Sequence, residues 1–426
     1  MSSVRTQTSR ILGSMVDHKT FYVHFIALIF IAIISVYSHP LLALENQPNK
    51  LDKICELISR STSGNNLIKT NGPHIIFDQS GKKIAELNFK PSLKNWKLVV
   101  LSLWEERDLP VTQVRALPPC KIISARQFGI SDDGDLVIIS FGPGLKSSKI
   151  EPQNPPFVMT TQTVRATSKP LLALVDTGVN YNLPLVQKNL ATTPDGQLIG
   201  YDFWDNDDRP FDKDPRKNAF FPLHHGTTVF SALSRELGDL RAAIYRFPAK
   251  NMCRFNDLIE HAEEAGVRII NMSMGSYSRD DWACFYESAK QHPHMLFVIS
   301  AGNDGFDIDT NPVFPASFDL DNMLVVTSSD LFGRLPPQSN YGKDSVDLMV
   351  PAEQIDVFDH RGVHTTASGS SYAAPRVAAL ATRFLAKNTR AATTDIIDYL
   401  KSRAIKSNTE FIRFGWIPDP SDDFKL

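Results

Sequence analysis

The chain has 426 residues, enough for one large domain with a smaller one beside it and a sizeable buried core. Its 45 Lys and Arg against 47 Asp and Glu leave a formal charge of −2, so no basic surface points to nucleic acid as a partner. An apolar content of 42% with 22% charged residues is that of a globular protein and excludes a disordered or fibrous chain.

At the amino terminus, Arg5, Arg10 and Lys19 precede the 17-residue apolar run Phe21 to Tyr37. A basic leader followed by such a run reads as an export signal. Its length lies between a signal's apolar region and a short membrane-spanning helix, so residues 1–45 are expected to be a signal peptide or a signal anchor. Any membrane contact is expected through this segment alone. The four cysteines, Cys55, Cys120, Cys253 and Cys284, contain no CxxC pair and do not suggest a zinc site. In an exported protein their even number suggests disulfides, with Cys55–Cys120 and Cys253–Cys284 the most economical of the three possible connectivities, among which sequence does not choose; free buried thiols are the alternative.

Residues 46–150 are expected to form a smaller β-rich region. Within it "PHIIFDQSGKKIAELNFK" predicts two strands about a turn, and "WKLVVLSLWEE" and "DLVIISFG" add apolar runs. The stretch Gly142 to Pro156, rich in Pro, Gly and Ser, is expected to be a linker. Beyond it the pattern changes. The runs "LLALVDTG", "LRAAIYRF", "VRIINMSMG", "MLFVISAGN", "MLVVTSS" and "VDLMVPAEQI" are short and lack strict alternation, which predicts strands buried on both faces. Helix-like segments such as "FNDLIEHAEEAG" lie between several of them. Residues 157–426 are therefore expected to be an α/β domain with a doubly wound, mostly parallel sheet and helices on both faces.

Such sheets place their sites at the carboxyl ends of the strands. Asp176 ends "LLALVD"; taken alone it reads as a turn residue, and "DTG" would also suit one half of an aspartic protease, but no second copy of the motif occurs in the chain. His225 leads "HGTTV" into a helical pattern, and Asn303 follows a strand in "SAGNDG". Ser370 and Ser371 stand before the apolar helix "YAAPRVAAL", at a terminus where free N–H groups and the dipole favour negative charge. Each motif alone is weak. Pro375 is read as lying in that helix's first turn, where a missing donor is tolerated.

In the order Asp, His, Asn, Ser these motifs closely resemble the subtilisin-like serine protease family. "VDTGVNYNLP", "HGTTV" and "GSSYAAP" match its Asp, His and Ser motifs, and the likeness runs over roughly residues 157–420. The resemblance implies an exported serine endopeptidase that hydrolyses peptide bonds: Ser371 the nucleophile, His225 its general base, Asp176 orienting the imidazole, and Asn303 donating to the oxyanion. It implies substrate contacts at Ser273, Met274 and Gly275 and at Ser300, Ala301 and Gly302, with Val313 a further candidate wall, and protein or peptide substrates as the partners. It implies that residues 46–150 are a removable pro-segment or a permanent accessory domain. No cofactor or metal is needed for that chemistry. The acids Asp202, Asp205, Asp207, Asp208, Asp212 and Asp214 offer oxygen ligands that Ca²⁺ could use; a solvated charged loop is the other reading. Departures lie at Phe230 and Ser231 behind the histidine, at Ala352 and at Tyr372. A catalytically silent fold acting as a binding module is the alternative from another class.

Overall fold

The computed structural model describes residues 48–62, 72–105, 109–131, 134–159, 171–247, 251–406 and 410–421. The apolar run at 21–37 and the rest of the expected signal or anchor lie outside them; among the described residues no helix is long and apolar enough to cross a membrane. The chain divides into two compact units, one ending at Gln153 and one beginning at Asn154.

Among the described residues the first unit opens with α1 (Pro48–Thr62) and continues as seven strands: β1 (His74–Phe77), β2 (Lys83–Lys90), β3 (Leu98–Leu103), β4 (Thr112–Leu117), β5 (Lys121–Ile130), β6 (Leu136–Phe141) and β7 (Ser147–Pro152). They pair in sequence order as one antiparallel meander. One face is buried, so inward residues recur at every second position: Ala85 and Leu87, Val99 and Leu101, Val114 and Ala116. Ile54 and Ile58, one helical turn apart on α1, join this core. A Cys55–Cys120 disulfide ties the helix to the β4–β5 turn. Much of the expected linker is instead the edge strand β7. Its residues are almost all exposed and polar, so no burial pattern marked it as a strand.

In the second unit β8 (Leu172–Asp176), β9 (Gly200–Asp202), β10 (Ala242–Arg246), β11 (Ile269–Met272), β12 (Leu296–Ser300), β13 (Met323–Ser329), β14 (Leu348–Pro351) and β17 (Gly415–Trp416) form a sheet in the order β17-β14-β13-β12-β11-β8-β10-β9, every pair parallel. A two-stranded antiparallel ribbon, β15 (Ile355–Phe358) with β16 (His364–Ala367), stands apart from it. Both faces of the large sheet are covered. Leu172 and Leu174 of β8 pack into a core with α3 (Gly226–Leu237) and α6 (Ser370–Lys387). The intervening Ala173 and Val175 enter a second core with α4 (Phe255–Glu264) and α5 (Ala283–Gln291). Each Leu or Val so buried contributes about 1.5–3 kcal/mol, and burial on both sides explains the unbroken apolar runs. Two further helices, α2 (Pro184–Gln187) and α7 (Thr393–Ser402), complete the unit, and a Cys253–Cys284 disulfide joins the segment before α4 to α5. From β8 the chain first winds out to β10 and β9, then back across to β11 and beyond. The carboxyl end of β8 is therefore a topological switch point, where such sheets hold their sites.

Candidate active site

Asp176 sits at that switch point, buried to 1% exposure. Its Oδ1 accepts from the Thr177 amide at 2.7 Å and faces His225 Nδ1 at 2.8 Å. His225 occupies the N-cap position of α3. Gly226 lets this helix end approach β8: a Cβ there would come 2.0 Å from the Gly178 carbonyl oxygen. Burial alone would lower the imidazole's pKa. The charge and hydrogen bond of Asp176, with the charges of Asp212 and Asp214, outweigh it and hold the pKa above its usual value. The neighbouring His224 turns elsewhere: its Nδ1 lies 2.5 Å from the Asp212 carbonyl oxygen and its ring stacks on His360 at 3.8 Å.

Ser371 is the second residue of α6, immediately after Ser370. Its follower Tyr372 places a ring 6.1 Å from the His225 ring, which brings the start of this helix beside the Asp–His pair. Burial pushes the Tyr372 hydroxyl up to about 12. Pro375 lies inside α6 rather than in its first turn. Having no N–H, it leaves the Ser371 carbonyl without its helical donor, and the Ser273 hydroxyl donates to that oxygen instead at 2.9 Å. Asn303 follows β12. Its Oδ1 accepts from the Ser370 amide at 2.8 Å and from the Ser370 hydroxyl at 3.1 Å. Gly369, at φ +122°, makes this contact possible: a Cβ there would lie 2.8 Å from Asn303 Oδ1.

Beyond the geometry, the family model described as the subtilase family matches residues 167–416. The chain belongs to the subtilase family. It is 26% identical over 252 residues to the halolysin-like extracellular serine protease Nep of Natrialba magadii, covering 55% of this chain and 43% of that protein. It is 27% identical over 288 residues to the cell wall-associated protease of Bacillus subtilis (strain 168), covering 64% of this chain and 29% of that one. The chain thus spans less than half the length of these relatives. Among solved structures, that of a lanthipeptide protease superposes with a TM-score of 0.48 at 17% identity, over 59% of this chain and 87% of that one. The chain's own sheet is doubly wound and parallel.

In this subtilase the residues expected to meet substrate are not equivalent. Met274 and exposed Gly275 follow β11, and with Ser273 they line a cavity of about 290 Å³ that also reaches Asp176 and His225. Val313 packs close behind: a Cβ on Gly275 would come 3.4 Å from its side chain. Ser300 and Ala301 are buried, and Ala301 spends its amide on Val326 and its carbonyl on Asn340. Gly302 is the half-buried member of that stretch.

Two residues that the motifs did not single out organise the site. Asn340, fully buried, donates to the Ala301 carbonyl and accepts from the amides of Asp304 and Phe306, which shapes the loop carrying Asn303. Asp212 accepts from Thr177 Oγ1 at 2.6 Å and from the amides of His225 and Thr227 at 3.1 and 2.9 Å. Residues far apart in sequence make these contacts, so no spacing announces them.

The acidic segment is not a solvated loop. Asp202, Asp212 and Asp214 are buried, and most of its acids have partners: Asp202 and Asp205 each lie 2.6 Å from Arg246 Nη1, and Asp214 lies 2.7 Å from Arg216. Among the described residues no group of three or more His, Cys, Asp or Glu is arranged to hold a metal. Phe230, the bulky departure behind the histidine, is fully buried in the core of α3 and α6, while Ser231 Oγ accepts from the Phe358 amide of β15.

Proposed function

We propose that this subtilase is an exported serine endopeptidase acting through a Ser371 acyl-enzyme. The observation that carries the reading is the 2.8 Å contact between Asp176 Oδ1 and His225 Nδ1, with the head of the Ser371 helix beside the same imidazole. With Nδ1–H donated to Asp176, Nε2 carries the lone pair that takes the proton from Ser371 Oγ as this oxygen attacks the scissile carbonyl. The carbonyl oxygen becomes an oxyanion. The Asn303 amide and the Ser371 backbone N–H bind it, the His225 imidazolium returns its proton to the leaving amine, and water then repeats the sequence to release the acid. An extended peptide pairs with the backbone of Ser273–Gly275, and Gly302 forms part of the facing wall.

Export is supported by the basic leader with its apolar run, by the two disulfides, and by relatives described as extracellular or cell wall-associated. Residues 46–150 act as a pro-segment or accessory domain to a catalytic domain at 157–426, and mass spectrometry of the secreted protein's amino terminus decides between them.

A fluorophosphonate probe tests the chemistry. The wild-type protein is expected to be labelled at Ser371 and to hydrolyse peptides, and Ser371→Ala to lose both, with kcat down by about 10⁶ as known for subtilisin. Labelling that persists in Ser371→Ala rejects the nucleophile; a folded wild type that neither labels nor hydrolyses favours the silent binding module.

A further inference from the structure

We propose that Asp212 is a positioning residue for the catalytic imidazole: its carboxylate replaces the N-cap side chain that α3 lacks and places a second negative charge near the Asp176–His225 pair. This rests on the reading of His225 as the general base.

A helix N-terminus leaves its first amides without partners, and a short polar side chain at the N-cap commonly takes one of them. In α3 the N-cap is His225, whose side chain makes no such bond because its ring faces Asp176. The cap is supplied from elsewhere. Asp212 accepts from the amides of His225 and Thr227, and Thr177 Oγ1 accepts from His225 and Gly226 at 3.1 and 2.8 Å while donating to Asp212 at 2.6 Å. The amides of the N-cap residue and of the first two helical residues are thereby bound to one Asp–Thr couple, and Thr177 is the direct neighbour of Asp176. The backbone that carries the imidazole is fixed to the residue that orients it.

Asp212 has no exposed surface, so solvent screens its charge less than it would at the surface. A carboxylate at the positive end of a helix is favourably placed, although burial itself pushes its pKa up. The titratable and charged groups around the imidazole are Asp176 at the end of β8, Asp212 and Asp214 in the preceding loop with Arg216 bound to Asp214, His224 next in the chain, and Tyr372 from α6. Asp212 is the carboxylate among them that holds the histidine's own amide.

The experiment compares wild type, Asp212→Asn and Thr177→Val in the full chain, with thermal melts to establish folding. Asp212→Asn is expected to lower kcat by about 10²-fold, the scale of an ångström-sized misplacement, with little change in KM. Losing the negative charge also lowers the imidazole's pKa, so the acid limb of kcat/KM moves to lower pH. Thr177→Val keeps the charge but removes the hydroxyl relay: kcat should fall without that downward move. A folded Asp212→Asn enzyme with wild-type kcat, or with the wild-type acid limb, overturns the proposal. Should Asp212→Asn fail to fold, wild-type kcat in Thr177→Val overturns it. Absence of probe labelling in the wild type would instead sink the catalytic reading itself.

Discussion

In the amino-terminal unit each strand reverses on the one before, so the ends of β1–β7 alternate between two edges. In the larger unit every strand of the main sheet runs the same way, and all eight carboxyl ends lie along one side. The two sheets draw on similar apolar residues. Direction is what separates them: parallel strands deliver Asp176, the Ser273 loop and the Asn303 loop to one edge, where two helices then add His225 and Ser371. A meander brings no such set together. The antiparallel unit is accordingly legible as a fold but is silent about chemistry.

The sharpest way to break that comparison is through what holds each unit together. The first unit has one modest core and a disulfide closing a loop of 65 residues, while the second has two larger cores and a disulfide closing 31. By the chain-entropy argument, Cys55→Ala with Cys120→Ala costs the first unit about 4 kcal/mol, a large share of what a small domain has. Calorimetry should show an early melting transition moving to lower temperature while a later one stays. A single transition shifting as a whole would mean that the units do not unfold separately.

Next in size, Asn303→Ala should lower kcat by about 10²–10³, the loss known for subtilisin's oxyanion donor, with KM little altered. Steady-state kinetics on a peptide substrate reads it. An unchanged kcat would remove the loop after β12 from the chemistry and weaken the idea that strand ends collect it.

The smallest effect expected is on pH dependence. Asp347, buried just before β14 with its Oδ2 accepting from the Val325 amide, is pushed up to about 6 by burial. Its ordinary value is 3.8, so between about pH 4 and 6 the folded state holds a proton that the unfolded chain has lost, and this group makes stability fall as pH rises through that window. Asp347→Asn should flatten that decline in the larger unit by an order of 1 kcal/mol, seen as a smaller difference between melting temperatures at pH 4 and 6. An unaltered slope would show the carboxyl to be better solvated than its surroundings suggest.

How much of this was legible in the sequence follows the same division. Continuous apolar runs gave the parallel strands because burial on both faces forbids alternation, as in the uninterrupted "LALVD" of β8. The motif residues were legible because each lies where a strand or helix ends. β7 was not, since an exposed polar edge strand carries the composition of a linker. Asp212 and Asn340 were not, because a buried acid or amide that binds distant backbone looks in sequence like one more residue of a polar loop. The same blindness made a buried ion-paired segment read as a solvated one: Arg246, the partner of Asp202 and Asp205, comes from another strand.

Residues 154–159 carry a consequence for where the chain can be severed. Tyr181 donates to the Pro155 carbonyl, Asn182 binds both Pro156 and Val158, Gln187 reaches Val158, and Arg209 reaches Asn154. This short stretch is stitched into the larger unit well ahead of β8, and stays with it however the polypeptide is divided upstream. A protease that is to free the seven-stranded sheet while leaving its neighbour whole must therefore cut no later than the Gln153–Asn154 bond.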